Sequence, residues 1–351
     1  MNGIEHGGPD GAQAVVHDFS TNANPLGPPG AVTAAVLRAN RHRYPDSNYA
    51  ALRARLAAWH GVGRQRVLPT AGTSEAIRRL TLAAFLQGLR VAWTPRPGYA
   101  DYAFAARALG MAVRHYDGAD ALLNGLATDA DNDALVWLCE PNNPTGRSLP
   151  ASFWMALLQA RGVSRHVWAL DRAYEPLRLQ GGDPVPAAWA DLVWQCLSPN
   201  KALGMTGVRA GYLLAPRDPA AELYRSLLQL APSWVLSAEG VALLGTWVEP
   251  AVQAWLALCR DELSGWAEAQ REVLHDLGWA QDFAVVPFWL TRPPEQGTAL
   301  AQRLAQMRLE GIMLRDATSL GRPGWLRVSA QAPESQRSLT RAWRRAAEAP
   351  A

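Results

Sequence analysis

The sequence is nearly devoid of lysine: Lys201 is the single lysine among 351 residues, against 33 arginines. It has three cysteines, an odd number in apolar segments, which indicates buried reduced thiols rather than a disulfide framework. No residue spacing typical of a metal site occurs. The sequence also lacks an apolar run of the roughly 18 residues that a membrane helix needs, and a secretory signal. These absences predict a soluble cytoplasmic protein without a metal centre and without membrane binding.

A strong charge of either sign is also missing. There are 34 basic and 31 acidic residues, for a formal net charge of +3, and the arginines are scattered rather than grouped. This distribution favours small anionic ligands and argues against nucleic acid as a partner. The chain exceeds the usual size of one domain, which predicts one large and one smaller domain.

Short apolar segments alternate with segments of helical periodicity over the first two thirds of the chain. Such alternation predicts an α/β fold in which helices cover both faces of a mainly parallel seven-stranded sheet. The predicted strands are 66–69, 90–94, 111–116, 134–139, 166–170, 192–197 and 211–215.

From about residue 237 the pattern changes to long helices, followed by short strands. One helix is predicted over 251–277, and strands over 283–291, 312–314 and 325–329. We predict a large domain over 41–245 and a smaller α+β C-terminal domain over 246–351. An N-terminal arm over 1–40 is expected to join the smaller domain.

Polar clusters follow five of the predicted strands. In open parallel sheets, loops and helix N-termini converge beyond the carboxyl ends of the strands, so ligands bind there. The clusters are 71–75, 97–99, 140–146, 171–174 and 198–201. We therefore expect them to meet at one edge of the sheet.

Each cluster also has an ordinary structural explanation. The segment 72–74 is typical of a helix N-cap, Asp171 of a helix cap or surface charge, and Tyr99 of a packing aromatic. Together, however, the clusters supply an amine, a phosphate cradle, hydrogen-bond donors and a carboxylate. An aldehyde cofactor with a phosphate, a phenolic oxygen and a ring nitrogen needs all four. Because a guanidinium cannot form an imine, Lys201 is the candidate amine, and the pattern favours pyridoxal 5′-phosphate (PLP).

With these motifs, the chain resembles fold-type I PLP-dependent transferases of the class I and II aminotransferase superfamily over nearly its whole length. The resemblance implies that Lys201 forms the imine with PLP and that Asp171 pairs with the pyridine nitrogen. Asn143 of Asn-Pro-Thr-Gly and Tyr174 of Asp-x-x-Tyr are expected at the phenolic oxygen, and Tyr99 on the ring face. The residues expected at the phosphate are Gly72, Thr73, Ser74, Ser198, Arg209 and, from the neighbouring subunit of a homodimer, Tyr44.

Two N-terminal motifs indicate the branch of the superfamily. His-Gly-Gly at 6–8 and Asp-Phe-Ser-x-Asn-x-Asn-Pro-Leu-Gly at 18–27 resemble the opening of threonine-phosphate decarboxylases of cobalamin biosynthesis. These enzymes are related to histidinol-phosphate aminotransferases. The resemblance implies that Arg327 binds the substrate α-carboxylate with Asn22, and that His6 and Arg315 lie near a substrate phosphate.

The predicted reaction is decarboxylation of L-threonine O-3-phosphate to (R)-1-amino-2-propanol O-2-phosphate. The alternative is transamination of the histidinol-phosphate type, because the same residues serve both reactions. Two other classes are disfavoured. A ligand-sensing transcription regulator would carry a DNA-binding domain ahead of the PLP fold, which is expected to begin by about residue 20. A nicotinamide-dependent dehydrogenase would carry Gly-x-Gly-x-x-Gly after a strand, and none is present.

Overall fold

A seven-stranded sheet lies at the centre of the computed structural model, which describes residues 7–8, 11, 14–129, 133–160 and 166–348. The strands are β1 (His17–Asp18), β2 (Val67–Thr70), β3 (Val91–Pro95), β4 (Ala112–Tyr116), β5 (Ala134–Cys139), β6 (Val167–Asp171), β7 (Trp194–Leu197), β8 (Gly211–Leu214), β9 (Ala280–Gln281), β10 (Phe288–Arg292), β11 (Ile312–Met313), β12 (Arg315–Asp316) and β13 (Leu326–Ser329). The central sheet has the order β2-β8-β7-β6-β5-β3-β4.

Twelve α-helices accompany these strands within the described residues. They are α1 (Gly30–Leu37), α2 (Ala50–His60), α3 (Thr73–Leu86), α4 (Ala100–Ala108), α5 (Ala119–Thr128), α6 (Ala151–Ala160), α7 (Ala187–Ala190), α8 (Ala221–Gln229), α9 (Ala238–Trp247), α10 (Pro250–Asp276), α11 (Gly297–Leu309) and α12 (Pro333–Glu348).

The central sheet is parallel except at β8, which pairs antiparallel with both β2 and β7. The predicted α/β fold and mainly parallel sheet are confirmed, and each of the seven predicted strands begins and ends within about two residues of the observed one. The accuracy has a physical reason: β5 is buried along its whole length. Leu135 and Trp137 pack in the apolar cluster on one face of the sheet, and Val136 and Leu138 in the cluster on the other.

A second, antiparallel sheet has the order β12-β13-β10-β9. The predicted strand over 283–291 is wrong in its first half, because β10 begins only at Phe288. Val285 instead donates its N–H to the Gly146 carbonyl (2.8 Å) and accepts from Leu179 (2.7 Å), so this apolar segment packs against loops of the central sheet. The two-residue strands β9 and β12 were not predicted, since two residues carry no detectable alternation.

The N-terminal segment and the second sheet are joined by backbone pairing. The Phe19 carbonyl accepts the Ser329 N–H of β13 at 2.9 Å, while β1 pairs in parallel with β11 in a separate two-stranded sheet. Phe19 also packs in the same apolar cluster as Trp289 and Leu314. Along α10, Leu256 packs in a cluster beside the central sheet. Leu274, further along the same helix, packs in the cluster around the second sheet. The division into domains at residues 41 and 246 stays a prediction.

Among the described residues, no single helix is long and apolar enough to cross a membrane. The pair α9 and α10, bent by 76°, meets the length and composition criteria only when the two helices are taken together.

Candidate active site

Loops that follow β2, β3, β5, β6 and β7 meet at one edge of the central sheet and enclose a cavity of about 260 Å³. The lining residues are Thr73, Ser74, Tyr99, Tyr102, Cys139, Asn143, Asp171, Ala173, Tyr174, Ser198, Asn200, Lys201 and Arg209. The structure thus brings together the residues predicted at the cofactor with two exceptions, Tyr44 and Gly72, and Gly72 directly precedes the lining residue Thr73.

Lys201 lies in the turn after β7, and its Nζ is 5.2 Å from the centre of the Tyr174 ring. The Tyr174 ring is itself held edge-to-face by Phe288, with ring centres 4.7 Å apart. The Lys201 carbonyl accepts the Asn24 N–H at 2.9 Å, which ties the lysine turn to the N-terminal segment. The single primary amine of the side chains is therefore held at the cavity by aromatic and backbone contacts.

Asp171 is the last residue of β6, and its side chain is buried. Oδ1 accepts the Ala173 N–H at 2.9 Å and Oδ2 accepts the Tyr102 hydroxyl at 2.8 Å. Burial raises the pKa of Asp171, while these two hydrogen bonds and the charge of Lys201 oppose that rise. A carboxylate placed in this way can keep a ring nitrogen protonated.

Tyr102 was missed by sequence reasoning. It lies on α4 three residues after Tyr99, is fully buried, and stacks on Trp137 with ring centres 4.9 Å apart. Tyr99 directly precedes α4, and its ring meets the Tyr102 ring edge-to-face with centres 5.7 Å apart. The spacing Tyr-x-x-Tyr at the start of a helix was the available signal. The Tyr99 hydroxyl is 3.1 Å from Ser74 Oγ and donates to Asp101 Oδ2 at 2.8 Å, and burial raises the pKa of Tyr99.

The N-terminus of α3 forms a cradle for an anion. Gly72 precedes the helix with φ of 88°, and a Cβ at this position would lie 2.7 Å from Arg209 Nη2. Thr73 Oγ1 is buried with no hydrogen-bond partner among the described residues. Free N–H groups, an unpartnered hydroxyl and a guanidinium at a helix N-terminus suit a phosphate dianion.

Ser198 lies at the same end of the cavity, but its hydroxyl is engaged within the protein. It is 2.8 Å from the Ala210 carbonyl and 2.9 Å from Asn200 Oδ1, two acceptors that compete for its one proton. Its oxygen can still accept a hydrogen bond. A donated contact to phosphate from Ser198 would need this proton to reorient.

A buried ion pair positions the loop that carries Asn143. Glu140 is fully buried and accepts hydrogen bonds from Arg178 Nη2 at 2.8 Å and from the Leu149 N–H at 2.8 Å. Because Arg178 follows Tyr174 closely in the chain, the pair joins the Asn143 loop to the Tyr174 segment. The two residues predicted at one cofactor oxygen are thereby held in fixed relation.

A second cavity, of about 110 Å³, shares Tyr99, Asn143, Tyr174 and Lys201 with the first. Its remaining lining residues are Gly7, Thr21, Asn22, Ala100, Arg315, Leu320 and Arg327. Asn22, Arg315 and Arg327, the described residues predicted to bind substrate, thus lie together next to Lys201. None of the described lining residues is acidic.

Arg327 is buried on β13, and its side chain retains an unused hydrogen-bond donor, Nε, among the described residues. Nη1 donates to Asn143 Oδ1 at 2.8 Å and Nη2 to the Ser20 carbonyl at 2.6 Å. Arg327 Nε and Asn22 Oδ1 are buried without a hydrogen-bond partner among the described residues. Burial lowers the pKa of Arg327 to about 10, so it is still protonated at neutral pH. A buried cation with an unused donor suits a ligand carboxylate.

Two predicted residues are not brought to the cavities. Tyr44 is 76% exposed and stacks on Trp234, with ring centres 4.2 Å apart, so it lies outside the active site of its own chain. Its contact with a neighbouring subunit stays a prediction. His6 lies outside the described residues. Among the described residues, no group of three or more histidine, cysteine or acidic side chains is arranged to hold a metal ion.

The sequence profile of the class I and II aminotransferases matches residues 14–345. The chain belongs to this family. Histidinol-phosphate aminotransferase of Ruegeria pomeroyi is 30% identical over 331 residues, which are 91% of this chain and 88% of that one. The corresponding enzyme of Halorubrum lacusprofundi is 30% identical over 337 residues, 91% of this chain and 85% of that one.

Solved structures of this family share the fold. L-Threonine-O-3-phosphate decarboxylase from Porphyromonas gingivalis has a TM-score of 0.76 and 22% identity, covering 94% of this chain and 99% of that one. Histidinol-phosphate aminotransferase from Sinorhizobium meliloti, solved with pyridoxal-5′-phosphate, has a TM-score of 0.78 and 18% identity, covering 96% and 92%. These likenesses confirm the fold-type I architecture.

The protein is a PLP-dependent enzyme, and the residues of its cavity fit that cofactor. The unpartnered Thr73 hydroxyl and the close approach of Gly72 to Arg209 provide room and donors for a phosphate. Asp171 provides a buried carboxylate and Lys201 the primary amine. These are the groups that PLP requires, in one cavity.

Proposed function

We propose that the protein decarboxylates L-threonine O-3-phosphate to (R)-1-amino-2-propanol O-2-phosphate. One observation carries the proposal: Arg315 on β12 and Arg327 on β13 are directly opposite each other in the antiparallel register. Both are buried, and both line the cavity of about 110 Å³ beside Lys201. Because like charges placed directly opposite destabilise a sheet, the pair suits a ligand with two anionic groups close together.

A compact phosphorylated amino acid meets this requirement. L-Threonine O-3-phosphate carries a carboxylate and a phosphate on one short chain, so it can contact both arginines at once. Histidinol phosphate has a phosphate and no carboxylate, so it would leave one of the two arginines without an anionic partner. The small cavity also favours a substrate without a ring.

The chain's own groups then have distinct tasks. When bound, PLP supplies an aldehyde that captures the substrate amine and a ring that accepts the electron pair released at Cα. Arg327 and Asn22 hold the carboxylate, and Arg315 holds the phosphate, which leaves the substrate Cα facing Lys201. Lys201 Nζ lines both cavities and is the amine placed to deliver a proton to Cα, which yields the amine product.

A second candidate is transamination of the histidinol-phosphate type. It is favoured by the relatives, because proteins named histidinol-phosphate aminotransferase are 30% identical over about nine tenths of this chain. A dicarboxylate such as 2-oxoglutarate also presents two anions to Arg315 and Arg327. For either reaction we propose a homodimer in which Tyr44 of each subunit reaches the neighbouring cofactor phosphate.

One experiment separates the two candidates. The PLP-loaded protein is incubated with L-threonine O-3-phosphate alone, and carbon dioxide and aminopropanol phosphate are measured. A parallel incubation contains histidinol phosphate and 2-oxoglutarate, and glutamate is measured. Stoichiometric carbon dioxide and aminopropanol phosphate support decarboxylation. Glutamate formation in the second mixture, without carbon dioxide in the first, would overturn the decarboxylase proposal and support transamination.

A further inference from the structure

Asp18 forms the centre of a tight hydrogen-bonded turn beside the substrate cavity. Its Oδ1 accepts the Ser20 N–H at 2.8 Å, the Ser20 hydroxyl at 2.6 Å and the Thr21 N–H at 3.1 Å. Its Oδ2 accepts the Thr21 hydroxyl at 2.6 Å. One carboxylate thus fixes the backbone and side chains of two consecutive residues.

Ser20 transmits this geometry to Arg327 and to the N-terminal glycines. Its carbonyl accepts Arg327 Nη2 at 2.6 Å, and its hydroxyl oxygen accepts the Gly8 N–H at 2.8 Å. A Cβ on Gly7 would lie 2.2 Å from the Ser20 carbonyl oxygen and 3.2 Å from Arg327 Nη2. Gly7 therefore lies flat against both, and with Thr21 it forms one wall of the substrate cavity.

The turn is anchored to the strands that carry both arginines. Phe19 donates its N–H to the Met313 carbonyl at 2.9 Å, and its own carbonyl accepts the Ser329 N–H at 2.9 Å. Met313 ends β11, two residues before Arg315, and Ser329 ends β13, two residues after Arg327. A change at Asp18 is therefore expected to alter the substrate cavity at Arg327. Asp18 does not line the cavity predicted to hold PLP.

We propose that Asp18 is a positioning residue for the substrate carboxylate: through Ser20 it orients Arg327 and holds the Gly7–Gly8 wall. This inference rests on the proposed function, in that Arg327 binds the substrate carboxylate and L-threonine O-3-phosphate is the substrate whose turnover tests it. Asp18 does not line the cavity, so its effect reaches the substrate through Ser20 and Arg327. A guanidinium that loses one of its two fixed contacts loses orientation, which weakens a directional carboxylate contact.

The test compares variants of the PLP-loaded enzyme in steady-state turnover of L-threonine O-3-phosphate. Asp18→Ala is expected to raise KM at least about tenfold, to change kcat less than about threefold, and to leave the dissociation constant of PLP unchanged. Asp18→Asn keeps one acceptor oxygen, so its KM should lie between those of the wild type and Asp18→Ala. Ser20→Ala loses the hydroxyl contacts to Asp18 and Gly8. It keeps the backbone N–H contact to Asp18 and the carbonyl contact to Arg327, so it should raise KM less than Asp18→Ala.

Asp183→Ala is the matched control. Asp183 also accepts a backbone N–H in a turn, from Val185 at 3.1 Å, and lines neither active-site cavity. Arg327→Lys is assayed in parallel. An unchanged KM in that variant would contradict the proposal that Arg327 binds the substrate carboxylate. If Arg327→Lys raises KM while Asp18→Asn and Asp18→Ala keep the wild-type value, the positioning role of Asp18 alone is overturned. Loss of PLP affinity in both Asp18 variants would overturn it as well.

Discussion

Tyr102 donates its hydroxyl proton to Asp171 Oδ2 across 2.8 Å, and both residues are buried in the wall of the cofactor cavity. Burial alone raises the pKa of a carboxyl group, because the charged form loses its hydration. A hydrogen bond donated to the carboxylate lowers the pKa and so opposes burial. Tyr102 therefore helps to keep Asp171 ionised, which is the state that can hold a protonated ring nitrogen.

Replacing Tyr102 by Phe should shift the pH range in which the protein retains PLP. The variant loses one hydrogen bond donated to the carboxylate, so burial is opposed less and the pKa of Asp171 rises further above its usual range. On acidification, Asp171 then takes up its proton at a higher pH than in the wild type, and PLP affinity falls earlier. The measurement is the PLP dissociation constant between pH 8 and 5.

Tyr116→Phe provides the matched control for this prediction. Tyr116 is also buried, and its hydroxyl donates to the Trp137 carbonyl at 2.7 Å, but it does not line the cofactor cavity. Its removal should weaken the fold without moving the pH dependence of PLP binding. Superimposable pH profiles for Tyr102→Phe and Tyr116→Phe would show that Tyr102 does not act on Asp171.

Lys201→Arg should abolish turnover and the visible absorbance that PLP gains on binding to the wild type. The charge survives in this variant, but a guanidinium cannot condense with an aldehyde. Because the phosphate cradle at Thr73 is intact, the variant should still bind PLP reversibly, which equilibrium dialysis measures. A variant that stays yellow and active would show that another group performs the chemistry.

The sequence predicted the α/β fold, and it predicted most of the residues that line the cavity of about 260 Å³, for a specific reason. The role of each residue at the cofactor stays a prediction. Asp171 ends β6, and Asn143 and Lys201 each come four residues after the end of a strand. The rule that ligands collect at the carboxyl ends of parallel strands therefore places them together. No long-range information was needed, since the apolar runs of β5 and β6 locate those strands. Where the run 283–291 mixes a loop with a strand, the same signal failed.

Relationships across distant segments could not be read from the sequence. The opposition of Arg315 and Arg327 depends on the register of β12 and β13, and a strand of two residues has no periodicity to detect. The link from Asp18 through Ser20 to Arg327 joins distant parts of the chain, because both side chains form hydrogen bonds with backbone groups of Ser20. Such contacts follow from the packed structure, not from local residue patterns.

Arg315→Gln should impair use of a phosphorylated substrate and leave an unphosphorylated one unaffected. Loss of a buried cation opposite a substrate anion costs about 2–5 kcal/mol, so KM for L-threonine O-3-phosphate should rise roughly 30-fold or more. L-Threonine, which lacks the phosphate, should be used equally poorly by variant and wild type. Arg322→Gln is the control, because Arg322 lies on the same β12–β13 connection but outside the substrate cavity. An equal loss for both substrates would indicate a general structural defect.

His60 makes the protein less stable in mild acid. It ends α2, and Nε2 lies 2.9 Å from the Tyr212 hydroxyl. Burial, with the nearby charges of Arg172 and Arg66, lowers the pKa of His60 to about 4. In the unfolded chain the pKa is about 6.5. Between these values the unfolded state binds more protons than the native state, so the free energy of unfolding falls as the pH drops through this window.

His60→Gln removes this proton uptake while its amide can still contact Tyr212. Wild-type protein should lose up to roughly 2–3 kcal/mol of stability from His60 between pH 7 and pH 4, and the variant should not. The measurement is the thermal unfolding midpoint of both proteins across this range, with the exposed His42→Gln as control. The variant's midpoint should fall less steeply than that of the wild type, whereas His42→Gln should follow the wild type. Parallel curves for His60→Gln and wild type would mean that the half-buried imidazole takes up its proton without unfolding, and that the Tyr212 contact does not exclude the charged ring.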